Sequence, residues 1–379
     1  MRFYKYLKID LMGFSAMIML AYVIPNIYIF FRIKKLFIVK KHTLAFILTY
    51  ISIALIFPLS NFIEYAPVRH YLDVVSTYLL PCSLYFFLAI LAFDIFLIFN
   101  LFFKVLSKEK MKSPRFKKYT LLGIMSTSVI IVIGGAINFN TIRVSEYKIE
   151  IPARSSKVSH LKIAFVADFH IDANTPEGFI KRFVAKTNSL APDIVLYGGD
   201  IVEGRNTRNL QSKTDILKQI FAKYGSFGVL GNHDRYRGQE EGDFFDSSGI
   251  ALLLDTVIVV GDAFNLAGRL DGGARDRKTV KELLQTADDT LPLVMLDHRP
   301  TEFSEVAASK TDIRLSGHTH RGQMFPLNLI INNMYELSYG YKKMENVHFF
   351  VTSGIRLWRY PVRTVGKSEI LLINVAFVK

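Results

Sequence analysis

Five short motifs in the second half of the chain combine carboxylate, imidazole and amide side chains. They read Asp168-Phe169-His170, Gly198-Gly199-Asp200, Gly231-Asn232-His233-Asp234, Asp297-His298 and Gly317-His318-Thr319-His320. Oxygen and nitrogen ligands without a thiolate suit a divalent ion such as Mn²⁺, Fe²⁺ or Zn²⁺. A lone histidine or aspartate after a strand is more often a turn or cap residue, but five such motifs in succession indicate a metal centre.

Each motif follows a short apolar run that predicts a buried strand. These runs cover 162–167, 193–197, 227–230, 291–296 and 312–315. Helices are predicted near 177–189, 209–223 and 276–287, and later strands at 346–352 and 369–377. Alternation of this kind indicates an α/β fold. Because the carboxyl ends of neighbouring strands meet at one rim of a sheet, we expect the motif side chains to converge there.

The five motifs resemble those of the calcineurin-like metallophosphoesterase superfamily over about residues 161–321. The tail 353–363 (SGIRLWRYPVR), with 368–370 (SEI) after it, resembles a bacterial, membrane-linked branch of that superfamily. The resemblance implies that the predicted catalytic domain, 145–379, is a β-sandwich flanked by helices. The arginines and the single tryptophan of the tail, Trp358, are expected either to bind phosphate or an acidic headgroup or to be ordinary surface charge beside a packed indole.

The resemblance also implies two metal sites and a set of roles. The first metal would be held by Asp168, His170, Asp200 and His320, and the second by Asp200, Asn232, His298 and His318. His233 would be the catalytic residue, and Asp234 would either orient its imidazole or cap the following turn. Glu203 stands where many phosphatase relatives have an aspartate, which leaves the network around His233 open. Arg321 and Arg235 directly follow ligand motifs and are predicted to bind substrate.

Two divalent cations can share one water, lower its pKa and stabilise charge on a phosphoryl group. Protonation of the leaving oxygen suits a group that titrates near neutral pH, as imidazoles commonly do, so His233 is expected to be the general acid. The predicted function is therefore hydrolysis of a phosphodiester or phosphomonoester by a metal-bridging hydroxide. An alternative is a UDP-2,3-diacylglucosamine-type pyrophosphatase of lipid A synthesis. An alternative of another class is a non-catalytic metal-binding scaffold.

Residues 1–144 predict a transmembrane region of about four spans. Residues 11–31, 43–63 and 119–139 contain no Asp, Glu, Lys or Arg, and 72–103 contain only Asp73 and Asp94. Each stretch reaches the roughly 20 apolar residues that a helix needs to cross the hydrocarbon layer. A carboxyl at this depth is costly, so Asp94 is expected to face a polar partner.

The net charge of +14 is concentrated in the membrane part, because residues 1–144 hold 17 Lys and Arg against 5 Asp and Glu. We therefore expect no nucleic-acid partner; the expected partners are the bilayer and a phosphate-ester substrate that a membrane anchor would allow to be lipid-linked. Loops 32–42 and 104–118 carry five and seven basic residues. The positive-inside rule places both loops in the cytoplasm, and the catalytic domain then lies on the extracytoplasmic side of the cell membrane. A cytosolic nucleotide-sugar substrate conflicts with this orientation.

Overall fold

The computed structural model describes residues 2–60, 63, 66–203, 210–234 and 241–378. Its chain divides into two compact units. The first comprises Met1–Ala136 and Arg359–Val362, and the second comprises Ile137–Trp358 and Arg363–Lys379. The strands begin at Ile142, three residues before the predicted start of the catalytic domain.

The first unit is helical. Its helices are α1 (Arg2–Leu36), α2 (Thr43–Ser60), α3 (Ala66–Phe103), α4 (Lys108–Lys112) and α5 (Pro114–Asn140), the last of which continues into the second unit. Three described stretches are long and apolar enough to cross a membrane, namely Lys40–Ser60, Tyr71–Phe103 and Pro114–Asn140. The first predicted span, 11–31, lies within α1, and part of it falls outside the side chains that the structure describes.

Large apolar side chains of these helices face outward. Leu48, Leu101 and Ile130 are 60%, 69% and 67% exposed. Such exposure is unfavourable in water but suits hydrocarbon, so this unit is a membrane region. The one acidic residue deep in a predicted span is paired: Asp94 accepts hydrogen bonds from Arg32, with Nε 2.8 Å from Oδ2, and from the hydroxyl of Tyr28. The expectation that Asp94 faces a polar partner is confirmed.

The second unit contains two six-stranded sheets. The first has the order β1 (Ile142–Pro152), β12 (Ser368–Val378), β2 (His160–Val166), β3 (Ile194–Tyr197), β4 (Ser226–Gly228) and β5 (Ile250–Leu252). The second has the order β10 (Gly340–Met344), β11 (Val347–Val351), β9 (Ile313–Ser316), β8 (Leu293–Leu296), β7 (Phe264–Gly268) and β6 (Thr256–Val260). Strands β2 to β5 pair in parallel, whereas β12 is parallel to β1 and antiparallel to β2.

The central strands β2, β3, β8 and β9 are buried on both faces because each sheet lies between two cores. Along β2, Ile163 and Phe165 belong to the core between the sheets, whereas Ala164 and Val166 belong to a core on the outer face, as the two-residue period of a strand requires. The flanking helices are α6 (Glu177–Ser189), α7 (Gln211–Leu217), α8 (Glu241–Ser247), α9 (Val280–Leu284), α10 (Phe303–Ala307) and α11 (Leu327–Met334). A β-sandwich flanked by helices is therefore confirmed.

The predicted strands correspond to β2, β3, β4, β8, β9, β11 and β12, and the predicted helix 177–189 is α6. Two other helices are shorter than predicted, since α7 ends at Leu217 and α9 covers only Val280–Leu284. The expectation of a single sheet rim was wrong, because β8 and β9 belong to the second sheet. Along the chain, the antiparallel strands β6 and β7 are the first strands of the second sheet, and they come between the third and fourth motifs.

Candidate metal centre

The motifs after β2, β3 and β4 meet those after β8 and β9 at one end of the sandwich. Five of their residues have a left-handed backbone, with φ between 48° and 74°. They are Asp168, His170, Asp200, His318 and His320. This conformation costs a non-glycine residue about 1–2 kcal/mol, and such strain concentrates at functional sites. The tight turns aim the side chains inward across the gap between the sheets.

A first group of donors comprises Asp168, His170 and His320, whose ligand atoms lie within 4.8 Å of one another. His170 Nε2 is 3.3 Å from His320 Nε2 and 3.9 Å from Asp200 Oδ2. His170 Nδ1 donates to Glu203 Oε2 at 2.7 Å, which leaves the lone pair of Nε2 directed at the other donors. Two imidazole nitrogens that face each other in this way favour a cation between them.

A second group comprises Asp200, His298 and His318. His298 Nδ1 donates to the carbonyl of Gly198 at 2.8 Å, so its Nε2 carries the lone pair. That Nε2 lies 3.2 Å from Asp200 Oδ2. Asp200 Oδ2 thus approaches donors of both groups.

The polar atoms of this site fit metal ions. Asn232 Oδ1 and His298 Nε2 are buried and form no hydrogen bond within the described part of the chain. A buried polar atom without a partner costs about 1–3 kcal/mol, a penalty that coordination of a cation would remove. Burial raises the pKa of Asp168 to about 6, so added positive charge would favour the carboxylate form of that side chain. These donors can therefore hold divalent metal.

Glu203 connects the first donor group to His233. Its carboxylate lies 2.7 Å from His170 Nδ1 and 2.9 Å from His233 Nδ1. Burial would raise the pKa of Glu203, but the hydrogen bonds with His170 and His233 lower it to about 2. Burial would likewise lower the pKa of His233, but the hydrogen bond with Glu203 and the charge of Asp200 raise it. In the sequence, Glu203 was noted only because many phosphatase relatives have an aspartate at this position. Its contacts with two histidines were not predicted.

The first role predicted for Asp234, orientation of the His233 imidazole, is wrong, because its carboxylate contacts backbone N–H groups instead. The Asp234 carboxylate is fully buried and accepts the backbone N–H groups of Gly231, Ile201 and Val202 at 2.8–3.0 Å. Asp234 therefore joins the turns after β3 and β4. The turn that follows Asp234, which it was predicted to cap, lies outside the described residues, so that alternative stays a prediction. The carboxylate that contacts the His233 ring is that of Glu203, whose side chain extends from the loop after β3.

The predicted substrate-binding arginines have different outcomes. The guanidinium of Arg321 lies 4.3 Å from the centre of the Tyr339 ring, next to the His320 donor. Arg235 lies outside the described residues. Two aromatic rings lie beside the site: that of Trp358, in the tail, is 5.6 Å from the ring of His233, and that of Tyr335, which was not predicted, is 6.2 Å from the ring of His318.

The tail 353–363 is hydrogen-bonded to the backbone of the first motif, next to the candidate metal ligands. The backbone N–H groups of Ile355 and Arg356 donate to the carbonyls of Ala167 and Asp168 at 3.0 and 3.1 Å. Arg363 is fully buried and donates to the carbonyls of Ser353, Gly354 and Arg356. Of the two interpretations of this tail, phosphate binding is thus excluded for Arg363, which holds the loop that carries Trp358.

Comparison with known proteins places these motifs in a family. The family model for calcineurin-like phosphoesterases matches residues 161–322. An uncharacterized metallophosphoesterase of Campylobacter jejuni is 28% identical over 383 residues, which cover 95% of this chain and 97% of the relative. One from Helicobacter pylori is 30% identical over 221 residues, 56% of this chain and 59% of the relative. A transmembrane protein with metallophosphoesterase domain from Danio rerio is 29% identical over 281 residues, 70% and 64% of the two chains.

The aligned region thus spans less than two thirds of the Helicobacter and Danio relatives. The family match covers the five motifs and the two donor groups that they form. Residues 161–322 are therefore a calcineurin-like phosphoesterase domain, and the chain is similar to metallophosphoesterases over that domain.

Proposed function

We propose that this protein is a membrane-anchored phosphoester hydrolase that uses two divalent metal ions. The observation that carries the proposal is the pair of donor groups that approach Asp200 from both sides, with His233 held beside them by Glu203. The substrate is a phosphodiester or phosphomonoester.

One metal ion would be held by Asp168, His170, Asp200 and His320, and the other by Asp200, Asn232, His298 and His318. Mn²⁺, Fe²⁺ and Zn²⁺ all suit this mixture of carboxylate, imidazole and amide donors. When bound, the ions would make water more acidic and stabilise negative charge on the phosphoryl oxygens.

A side chain of this domain can supply the proton that the leaving group needs. In hydrolysis, the oxygen of water forms a bond to phosphorus, the bond from phosphorus to the leaving oxygen breaks, and the water loses a proton. His233 Nδ1 is held by Glu203, so Nε2 is the atom that can give a proton to the leaving oxygen. The raised pKa of His233 keeps more of the imidazole protonated at neutral pH.

The membrane orientation belongs to the proposal as well. The basic loops 32–42 and 104–118 favour a cytoplasmic location for themselves and an extracytoplasmic location for the catalytic domain. A reporter enzyme fused after Lys379 tests this orientation. Activity of a periplasm-specific reporter is expected; activity of only a cytoplasm-specific reporter would reverse the orientation and make the nucleotide-sugar substrate accessible.

The catalytic proposal is tested with the full-length protein in detergent, stripped of metal and resupplied with Mn²⁺. Hydrolysis of a nitrophenyl phosphodiester and of a nitrophenyl phosphomonoester is measured with the wild type, His233→Ala and His160→Ala. We expect metal-dependent turnover that His233→Ala lowers by about 10²–10⁴-fold, the usual contribution of a positioned proton donor. His160 is exposed at the start of β2, at the opposite end from the motif, and is the matched control.

Equal turnover of His233→Ala and wild type would rule out the role of His233. Stoichiometric metal binding without turnover of either ester, or of a lipid phosphoester in bilayers, would favour the non-catalytic scaffold.

A further inference from the structure

The surface of the catalytic unit carries a concentrated apolar patch on and just before α11. Residues 322–335 contain no charged side chain. Five large apolar residues in this segment are between 40% and 67% exposed; they are Phe325, Leu327, Leu329, Ile330 and Met334, called the α11 patch below. Other exposed large apolar residues of the sandwich, such as Phe221 and Leu254, are scattered along the chain.

The helix does not use this patch to pack on the sandwich. None of the eight residues of α11 is buried, in contrast with α6, which buries Phe179, Ile180 and Phe183. Contiguous exposed apolar surface on a folded domain marks a site of interaction with a protein or a membrane. The surroundings of the patch decide between these two.

The patch begins beside the last turn of the apolar helix α5. Asn138 in that turn donates from Nδ2 to the carbonyls of Arg363 and Gly366 at 2.9 and 3.1 Å. The intervening Thr364 donates its backbone N–H to the carbonyl of Gln323 at 3.1 Å and accepts the N–H of Phe325 through its hydroxyl at 3.0 Å. One short loop therefore connects the start of the patch to the end of a helix long and apolar enough to span the bilayer.

Both ends of the patch also adjoin the metal centre. The segment starts at Gly322, the last residue of the turn His320–Gly322, whose first residue, His320, is a predicted metal ligand. It ends at Tyr335, whose ring lies 6.2 Å from that of His318, a ligand predicted for the second metal. An apolar group held against this surface would thus lie next to the site at which a phosphate ester would react.

We propose that the α11 patch inserts into the lipid bilayer and that the substrate is a phosphoester carried on a lipid, whose apolar chains remain in the bilayer while its phosphate reaches the metal centre. The absence of charge between 322 and 335 suits hydrocarbon, and the adjacent end of α5 brings the patch to the membrane surface. The second half of this proposal rests on the proposed phosphoesterase function, whereas the insertion itself does not.

Insertion is tested with the full-length protein in lipid nanodiscs. The single native cysteine is replaced, Cys82→Ser, and Ile330→Cys is labelled with an environment-sensitive fluorophore. We expect a blue-shifted emission that brominated phosphatidylcholine quenches several-fold more strongly than it quenches a label at Phe221→Cys. Phe221 is a matched control because it is an apolar residue of the same unit that is 78% exposed. A label at Ile130→Cys in α5 shows the quenching of a residue in contact with lipid.

An unquenched label at Ile330→Cys, alongside a quenched label at Ile130→Cys, would overturn insertion. If that unquenched label were nevertheless shielded from water, the patch would be covered by protein, either a partner or a second copy, and the proposal would equally fail.

Substrate class is tested with the double variant Leu329→Ser/Ile330→Ser. We expect hydrolysis of a long-chain lipid phosphoester in nanodiscs to fall about tenfold, while hydrolysis of a soluble nitrophenyl ester stays unchanged. Phe221→Ser is expected to change neither activity. Equal turnover of the lipid ester by the double variant and the wild type would overturn delivery of a lipid substrate. Quenching without any ester hydrolysis would separate the two claims, because insertion would stand and the phosphoesterase function would fail.

Discussion

Glu203 serves two histidines with one carboxylate. It fixes the tautomer of His170 by accepting from Nδ1, and it accepts from Nδ1 of His233 at the same time. Its side chain is longer by one methylene than the aspartate found in many phosphatase relatives. With that extra length, the Glu203 carboxylate reaches both rings, so the first donor group and His233 are linked through one charged side chain.

Replacement of Glu203 by glutamine removes the negative charge while it keeps an oxygen that can accept a hydrogen bond. A histidine acts as an acid only while protonated, so activity falls as the pH rises through its pKa. Because Glu203 raises the pKa of His233, Glu203→Gln should move the alkaline limb of kcat/KM to lower pH and lower the rate at neutral pH about tenfold. Metal content, measured by elemental analysis, separates this effect from loss of metal through His170. An alkaline limb that stays at its wild-type pH would exclude the link.

At the scale of elements, the tail loop 353–363 follows β11 and brings the chain next to the candidate metal ligands. It pairs with the backbone of Ala167 and Asp168 at the end of β2, and Gly354 makes this approach possible. Gly354 has φ +81°, and a Cβ there would lie 2.7 Å from Asp168 Cβ. The buried Arg363 crosslinks the loop through three of its carbonyls, so the position of Trp358 beside His233 depends on this arginine.

Arg363→Met should release the loop, because three backbone carbonyls lose their donor in a buried place. The single tryptophan of the chain, Trp358, reports this directly. We expect red-shifted emission and greater quenching by acrylamide, together with a destabilisation of about 3 kcal/mol. The exposed Arg359 provides the control Arg359→Met, which should leave both properties close to wild type. Unchanged Trp358 fluorescence in Arg363→Met would show that the loop is held by other contacts.

At the scale of the whole molecule, the two units have surfaces suited to different surroundings, hydrocarbon for the first and water for the second. The helices of the first unit expose apolar side chains, whereas the sandwich buries them between sheets and helices. The ion pair of Asp94 with Arg32 is an exception inside the apolar region, and it connects α3 to α1. Its surroundings make an unpaired charge costly, although Arg32 remains 25% exposed along its side chain.

Asp94→Ala should therefore lower the apparent Tm of the full-length protein in detergent, because Arg32 would lose its carboxylate partner. The double variant Asp94→Ala/Arg32→Met should recover much of that loss, because no unpaired charge remains. Thermal unfolding of the single and double variants measures this difference. If the double variant melts at or below the temperature of Asp94→Ala, the pair is not coupled, and Asp94 has some other function in the membrane.

The sequence alone determined the chemistry of the site and the separation of the chain into an apolar region and an α/β domain. Donor side chains shortly after buried strands carry this information locally, because a strand of three to seven residues fixes the direction in which the chain leaves the sheet. Apolar stretches of about 20 residues are equally local, since the thickness of the bilayer sets their length. The strands and the polar environment of Asp94 were predictable for these reasons, whereas the sandwich was expected only from the family resemblance.

Only the tertiary structure decided what depends on contacts between distant segments. The five motifs lie on two sheets instead of one rim, a pairing that motif spacing does not encode. The assignment of Glu203 instead of Asp234 to His233 depends on which carboxylate reaches the ring across a 30-residue separation. The burial of Arg363 and the exposure of α11 depend on what packs against them. A sequence states which side chains are available, but the packing of remote segments decides which of them meet.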